Sequence, residues 1–237
     1  MGLSRTVAVA GLAALGCAIA ADAGEIRGTV RLEGAPPAPA MLTAEPSPNH
    51  PVEGCGAFPK LSQRLLVDAH GGVQNALVWV EMPLDPHGLV RGDTKMLDQR
   101  ECVFEPHVLL LPAGGTLALR NSDPMLHNVR IFQERTMLMH EWQQPKAADL
   151  TWRFNEPGRY LVRCGVHSWM YAWIVVAEHR YYALTDSTGG FTISDVPQGG
   201  AILRVWHEAL GERQQPVRIQ EDPVAVVIQF AQATAAP

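Results

Sequence analysis

The stretch Gly158-Arg159-Tyr160-Leu161-Val162-Arg163-Cys164-Gly165-Val166-His167-Ser168-Trp169-Met170 begins as a strand and ends as a loop. Tyr160, Val162 and Cys164 alternate with Leu161 and Arg163, the two-residue period of a β-strand with one face inward. Cys164 closes that strand, and the six residues after it return a histidine and a methionine toward the same point. A second strand supplies a partner: His127, Val129 and Ile131 share one face, with apolar companions that turn His127 inward. One thiolate, two imidazoles and a thioether make the trigonal His2Cys set with a weak axial Met that suits copper electron transfer. Taken singly, His127 reads as a satisfied core histidine, Cys164 as a disulfide partner and Met170 as core filler. The joint spacing favours the metal. A zinc site would use Cys and His but has no use for the thioether.

Outward from this stretch the chain reads as short strands. Runs of Val, Ile, Leu, Thr and aromatics fall at residues 25–32, 76–81, 107–111, 116–121, 127–132, 150–154, 158–164, 172–176, 190–193, 201–206 and 224–230. Turn signals separate them, among them Gly71-Gly72, Pro112-Ala113-Gly114-Gly115, Asn155-Glu156-Pro157-Gly158 and Pro197-Gln198-Gly199-Gly200. No window holds a helical period, so the expected fold class is all-β, built of sandwiches or Greek-key barrels. The Pro-rich residues 35–51 read as an extended arm.

The 237 residues carry 19 Lys+Arg against 24 Asp+Glu, a net charge of −5, with no basic run to grip a nucleic acid. Arg5 precedes an apolar run from Val7 to Ile19, then Ala21-Asp22-Ala23, the layout of a secretory signal peptide over residues 1–23. Cys17 offers a lipid-anchor alternative, but Ala14-Leu15-Gly16 is a poor acceptor pattern before it. No later segment is long enough to span a bilayer. The expected location is therefore periplasmic or secreted. Export leaves Cys55, Cys102 and Cys164, and an oxidising compartment favours one disulfide with one thiol over. Counting allows three pairings.

Residues 94–178 resemble a cupredoxin, the blue copper fold. The matching stretches are Val103-Phe104-Glu105-Pro106, Pro112-Ala113-Gly114-Gly115-Thr116, Asn121-Ser122-Asp123-Pro124-Met125-Leu126-His127-Asn128-Val129, Phe154-Asn155-Glu156-Pro157-Gly158-Arg159-Tyr160 and Cys164-Gly165-Val166-His167-Ser168-Trp169-Met170. The two-residue gap between His167 and Met170 is similar to amicyanin-type loops. The resemblance implies one type 1 copper, with His127, Cys164 and His167 as strong ligands and Met170 axial. It places Asn128 behind them, tying the two ligand loops together. With Cys164 given to the metal, Cys55 and Cys102 become the disulfide. Gly165, Ser168 and Ala172 depart from the common Ser or Thr, Pro and Gly of such loops.

The flanks, 24–93 and 179–237, resemble two parts of a carboxypeptidase regulatory-like, transthyretin-like β-sandwich. The resemblance rests on Gly28-Thr29-Val30-Arg31-Leu32-Glu33-Gly34, residues 72–80, Thr185-Asp186-Ser187-Thr188-Gly189-Gly190-Phe191 and Val196-Pro197-Gln198-Gly199-Gly200. Trp206-His207-Glu208 with His179 and His107 form a weaker candidate for a second metal. Met137-Leu138-Met139-His140, with Met125, would put soft donors on a loop. Trp169, Tyr171 and Trp173 would form an apolar apron around an exposed edge of His167, where a partner docks. No nucleophile and base are paired, so catalysis is not expected. The expected function is a periplasmic one-electron carrier serving a redox protein, a cytochrome or a dehydrogenase. The alternative is a copper-trafficking or carbohydrate-binding-like accessory module.

Overall fold

The computed structural model describes residues 23–43, 52, 54–81 and 93–231. The expected signal peptide, apart from Ala23, lies outside the described residues, as do Cys17 and residues 44–51 of the Pro-rich arm. Strands β1 (Ala23–Leu32), β2 (Met41–Leu42), β3 (Lys60–Leu61) and β4 (Leu77–Glu81) come first. A middle block follows with β5 (Thr94–Arg100), β6 (Val103–Glu105), β7 (Val108–Pro112), β8 (Gly115–Asn121) and β9 (His127–Gln133). It continues through β10 (Thr136–Gln143), β11 (Leu150–Phe154), β12 (Gly158–Cys164) and β13 (Tyr171–Ala177). The chain ends on β14 (Tyr182–Leu184), β15 (Gly190–Pro197), β16 (Gly199–His207), β17 (Gly211–Ile219) and β18 (Val224–Phe230). The fold is all-β. Among the described residues no helix is long and apolar enough to cross a membrane.

The middle block forms two sheets, in the orders β10-β9-β12-β13-β7 and β11-β8-β5-β6. Their inward residues meet in one core that includes Leu97, Phe104, Leu117, Leu119, Val129, Ile131, Phe154, Tyr160, Val162 and Ile174. Tyr160 donates its hydroxyl hydrogen to the Glu156 carbonyl at 2.8 Å, bracing the turn that enters β12. The flanks form two further sheets, β15-β1-β18 and β14-β4-β16-β17. These share a second core around Ile26, Val30, Val78, Val80, Ile193, Leu203, Val205, Ile228 and Phe230. One tight point beside it is Gly189, at φ +76°, where a Cβ would lie 2.4 Å from the Val30 carbonyl oxygen. Only glycine takes that conformation at that distance without strain.

A third cluster joins the two halves: Leu77, Val108, Val175 and Trp206, with Trp79, Leu110, Trp173 and Tyr182 around them. The sequence explains why. On β4, Val78 and Val80 face the flanking core while Leu77 and Trp79 face the seam. On β13, Ala172, Ile174 and Val176 face the middle core while Trp173 and Val175 face the seam. A strand covered on both faces loses its alternation and reads as a continuous apolar run, as both of these do. Each buried Val or Leu contributes roughly 1.5–3 kcal/mol, so the seam is a substantial hydrophobic contact. A polar group is enclosed with it: the Glu208 carboxylate pairs with His107 and accepts from the Trp173 indole N–H at 3.2 Å.

Candidate metal centre

β9 starts on His127 and β12 ends on Cys164, and antiparallel pairing sets Cys164 beside Val129. The residues after Cys164 form a tight loop closed by backbone hydrogen bonds. The Cys164 N–H donates to the Met170 carbonyl, the Met170 N–H to the His167 carbonyl, and the Gly165 N–H to the Asn128 carbonyl, at 2.8–3.0 Å. That last bond explains Gly165. A Cβ there would lie 2.2 Å from Asn128 Oδ1 and 2.5 Å from Arg130 Nη2. A serine or threonine would have to displace the ends of those two side chains.

The loop brings three donors together. Cys164 Sγ lies 3.6 Å from His127 Nδ1 and 3.8 Å from His167 Nδ1, and the two nitrogens are 3.2 Å apart. Bonds of about 2.0–2.3 Å to one shared centre, at angles of roughly 100–120°, give separations of this size. Met170, the expected axial residue, is buried in the same core as Cys164. Asn128 lies behind the loop: its carbonyl holds Gly165, and its side-chain oxygen accepts from Arg130 Nε at 2.7 Å.

Electrostatics prepare the donors for a cation. Burial alone pushes the Cys164 thiol up, but the adjoining His127 and His167 rings and the backbone N–H groups of Asn128 and His167 hold it down at about 5. The sulfur is therefore a thiolate at neutral pH, the form that binds metals. Burial disfavours the charged His127 ring, yet the Asp123 carboxylate and Cys164 outweigh that and raise it above its ordinary value. Asp123 Oδ2 lies 2.8 Å from His127 Nε2. A carboxylate only accepts, so the proton sits on Nε2 and the Nδ1 lone pair faces Cys164.

Asp123 was absent from the expected site, although two signals pointed to it: a carboxylate four residues before an inward histidine, in the turn that aims that histidine. It is itself fixed, accepting the N–H groups of Glu101 and Cys102. Those two residues turn the chain between β5 and β6 at φ 51° and 56°. One carboxylate thus couples that turn to the histidine.

Cys55 and Cys102 form a disulfide, with Cα atoms 4.9 Å apart. Cys164 is a buried free cysteine. The exposed edge expected for His167 is not there, because its ring has no solvent exposure. Phe58 meets Trp169 edge to face at 5.4 Å, and the Trp169 indole N–H donates to the Cys102 carbonyl at 2.9 Å. Cys55 Sγ comes to 3.9 Å from His167 Nε2. A segment before the middle block, clipped by the disulfide, therefore covers the ring. The other apron residues have different partners: Tyr171 packs on His107 at 5.0 Å between ring centres, and Trp173 on Trp206 at 5.2 Å.

Two weaker expectations also change. Residues 137–140 belong to strand β10 rather than a loop; Met139 packs into the core while Met137 is exposed. Met125 lies against the disulfide, 3.2 Å from Cys102 Sγ and 3.6 Å from Cys55 Sγ. His107, His179 and His207 do not join a three-donor cluster among the described residues. Backbone N–H groups of Tyr181 and Ala209 donate to Nδ1 of His179 and His207 at 3.2 Å, which occupies those lone pairs.

Solved structures similar to part of this chain include cupredoxins. Amicyanin from Paracoccus versutus is 21% identical over 42% of this chain and 97% of its own, with a TM-score of 0.33. A purple cupredoxin from Nitrosopumilus maritimus is 19% identical over 35% of this chain and 98% of its own, at 0.29. A Sinorhizobium pseudoazurin is 22% identical over 36% of this chain and 74% of its own, also at 0.29. No family model and no curated protein matches the sequence.

Proposed function

We propose that this chain is an exported type 1 copper protein that carries single electrons between redox partners. The observation that supports it best is the convergence of Cys164 Sγ, His127 Nδ1 and His167 Nδ1 within 3.2–3.8 Å of one another, in a buried pocket that keeps the thiol ionised. His127, Cys164 and His167 would hold the ion, with Met170 as the axial thioether. Copper, when bound, supplies one-electron cycling between Cu(I) and Cu(II). The soft sulfur donors favour the reduced ion and the imidazoles tolerate the oxidised one. The protein's own part is restraint. Asp123 orients His127, the Asn128 carbonyl anchors the loop, and one sheet pairs the two strand ends, so the donors move little between states.

In this reading residues 1–23 direct export to the periplasm, 94–178 are the cupredoxin domain, and 24–93 with 179–237 make a carboxypeptidase regulatory-like sandwich. The sandwich is supported by one core drawn from both flanks and by the Asp186 turn. There the carboxylate accepts the N–H groups of Thr188 and Gly190 at 2.8 and 2.9 Å. The partner is a redox protein, a cytochrome or a dehydrogenase.

Copper trafficking is the second reading, favoured by the cover over His167, which removes an open ring edge for electron entry. Adding Cu(II) to the purified chain separates the two. An electron carrier gives intense thiolate-to-copper absorption and a compact EPR hyperfine pattern. A tetragonal spectrum, with rapid surrender of copper to a mild chelator, supports trafficking. Cys164→Ser abolishes the visible band and leaves the fold intact, because the sheets close around their cores without the metal.

A further inference from the structure

His167 has two nitrogens and two sulfur neighbourhoods. Nδ1 faces Cys164, while Nε2 lies 3.9 Å from Cys55 Sγ on the opposite side. On that side Cys55 Sγ, Cys102 Sγ and a His167 ring nitrogen all lie within 4.8 Å of one another, and all three residues are buried. Met125 adds a thioether, with Sδ within 3.6 Å of both disulfide sulfurs. Two thiolates, a thioether and an imidazole are a softer set than the one around Cys164, and soft donors of this kind select Cu(I). Only the sulfur–sulfur bond stands between this cluster and a metal site.

We propose that reduction of Cys55–Cys102 opens a second metal site, for Cu(I), formed by Cys55, Cys102, Met125 and the Nε2 side of His167. The reductant is a dithiol. Its thiolate attacks one sulfur and the disulfide bond breaks. Two electrons and two protons pass to Cys55 and Cys102, and the dithiol leaves as its own disulfide. Cu(I) then displaces the two thiol protons. A neutral imidazole has one lone pair, so filling both positions makes His167 a bridge that gives up its remaining proton. The same reduction unfastens the cover over His167, which links access to the first centre with the oxidation state of the clip.

The test uses the full chain carrying Cys164→Ser, so that the first position is disabled and the outcome does not depend on the electron-carrier reading. The protein is treated with excess dithiothreitol, desalted without oxygen and titrated with Cu(I) against a competing chelator. Thiol counting checks that the disulfide has opened. The reduced form is expected to hold one more Cu(I) per chain than the oxidised form, and Met125→Leu in the same background weakens that binding about tenfold. Adding Cys102→Ser removes the extra ion. Equal Cu(I) uptake before and after verified reduction overturns the proposal, and so does uptake that survives Cys102→Ser. Met125→Leu keeps the disulfide, so it remains informative if the cysteine variant does not fold.

Discussion

His127 and His207 are both almost sealed from water, at 0% and 2% exposure, yet their surroundings drive them in opposite directions. Burial lowers His207 to about 4, and the nearby Glu208 charge does not reverse it. Burial also opposes the charged form of His127, but Asp123 and the Cys164 sulfur prevail and raise it. The difference lies in direct partners. His127 has a carboxylate on one nitrogen and a thiolate facing the other, whereas His207 accepts a backbone N–H at Nδ1. Burial alone makes a histidine neutral and structural. Burial with an anion on each side makes a place for a cation, and among the described residues the middle block builds one.

The largest way to break this contrast is to remove the clip over the centre. In the chain-entropy model a disulfide joining residues 47 apart is worth about 4 kcal/mol, so Cys55→Ser with Cys102→Ser is expected to lower stability by roughly that amount. Denaturant unfolding measures it. A loss below about 1 kcal/mol would show that the segment over His167 is held by Phe58 and Trp169 packing instead. The His207 pocket, in the flanking half, keeps its own behaviour in that variant.

His207 gives the next effect, read from pH. A base whose folded value lies below its unfolded one takes up protons mainly in the unfolded chain across the window between them. The stability from keeping His207 neutral is therefore fully present above about 6.5 and falls as pH drops toward 4. The shift corresponds to about 3 kcal/mol by pH 4. His207→Gln is expected to flatten that part of the stability profile. An unchanged slope would mean that His207 charges without unfolding.

Asp123 is the third handle. Groups that orient a metal-ligating histidine are worth roughly 10–100-fold in metal affinity, so Asp123→Asn is expected to weaken copper binding by that factor. The amide still accepts at one position but loses the charge and one of the two acceptors serving Glu101, Cys102 and His127. Competition with a chelator of known affinity measures the change. Binding within threefold of the parent would mean that the strand end alone aims His127.

The residues that converge at the candidate centre were legible because strand alternation is local: Cys164 and His127 each continue a period of inward apolar residues, and the Cys-x2-His-x2-Met spacing lies within one loop. Strands with a covered apolar face were equally legible, including β11, β12 and β18, whose limits agree with the sequence pattern. What escaped was non-local or polar. β5 turns only Leu97 and Gln99 fully inward, and β17 is mostly charged or amide residues with Pro216 in it, so neither shows an apolar run. The cover over His167 depends on a cysteine 112 residues away from it along the chain. No spacing rule reaches that far, which is why the sequence suggested an open histidine edge where the fold has a closed one.

The smallest effect expected is at His140, and it sharpens the contrast from the other side. His140 and Met137 belong to β10, which among the described residues is an edge strand paired with β9, and both are exposed. Soft donors in sequence do not make a site when the pleat sends them to water and no anion or second donor meets them there. His140→Asn with Met137→Ser is expected to leave copper stoichiometry unchanged and shift stability by less than about 0.5 kcal/mol, the usual range for surface substitutions. A lost copper equivalent in this variant would mean that an exposed histidine on an open edge gathers a metal without the buried anionic frame that distinguishes His127.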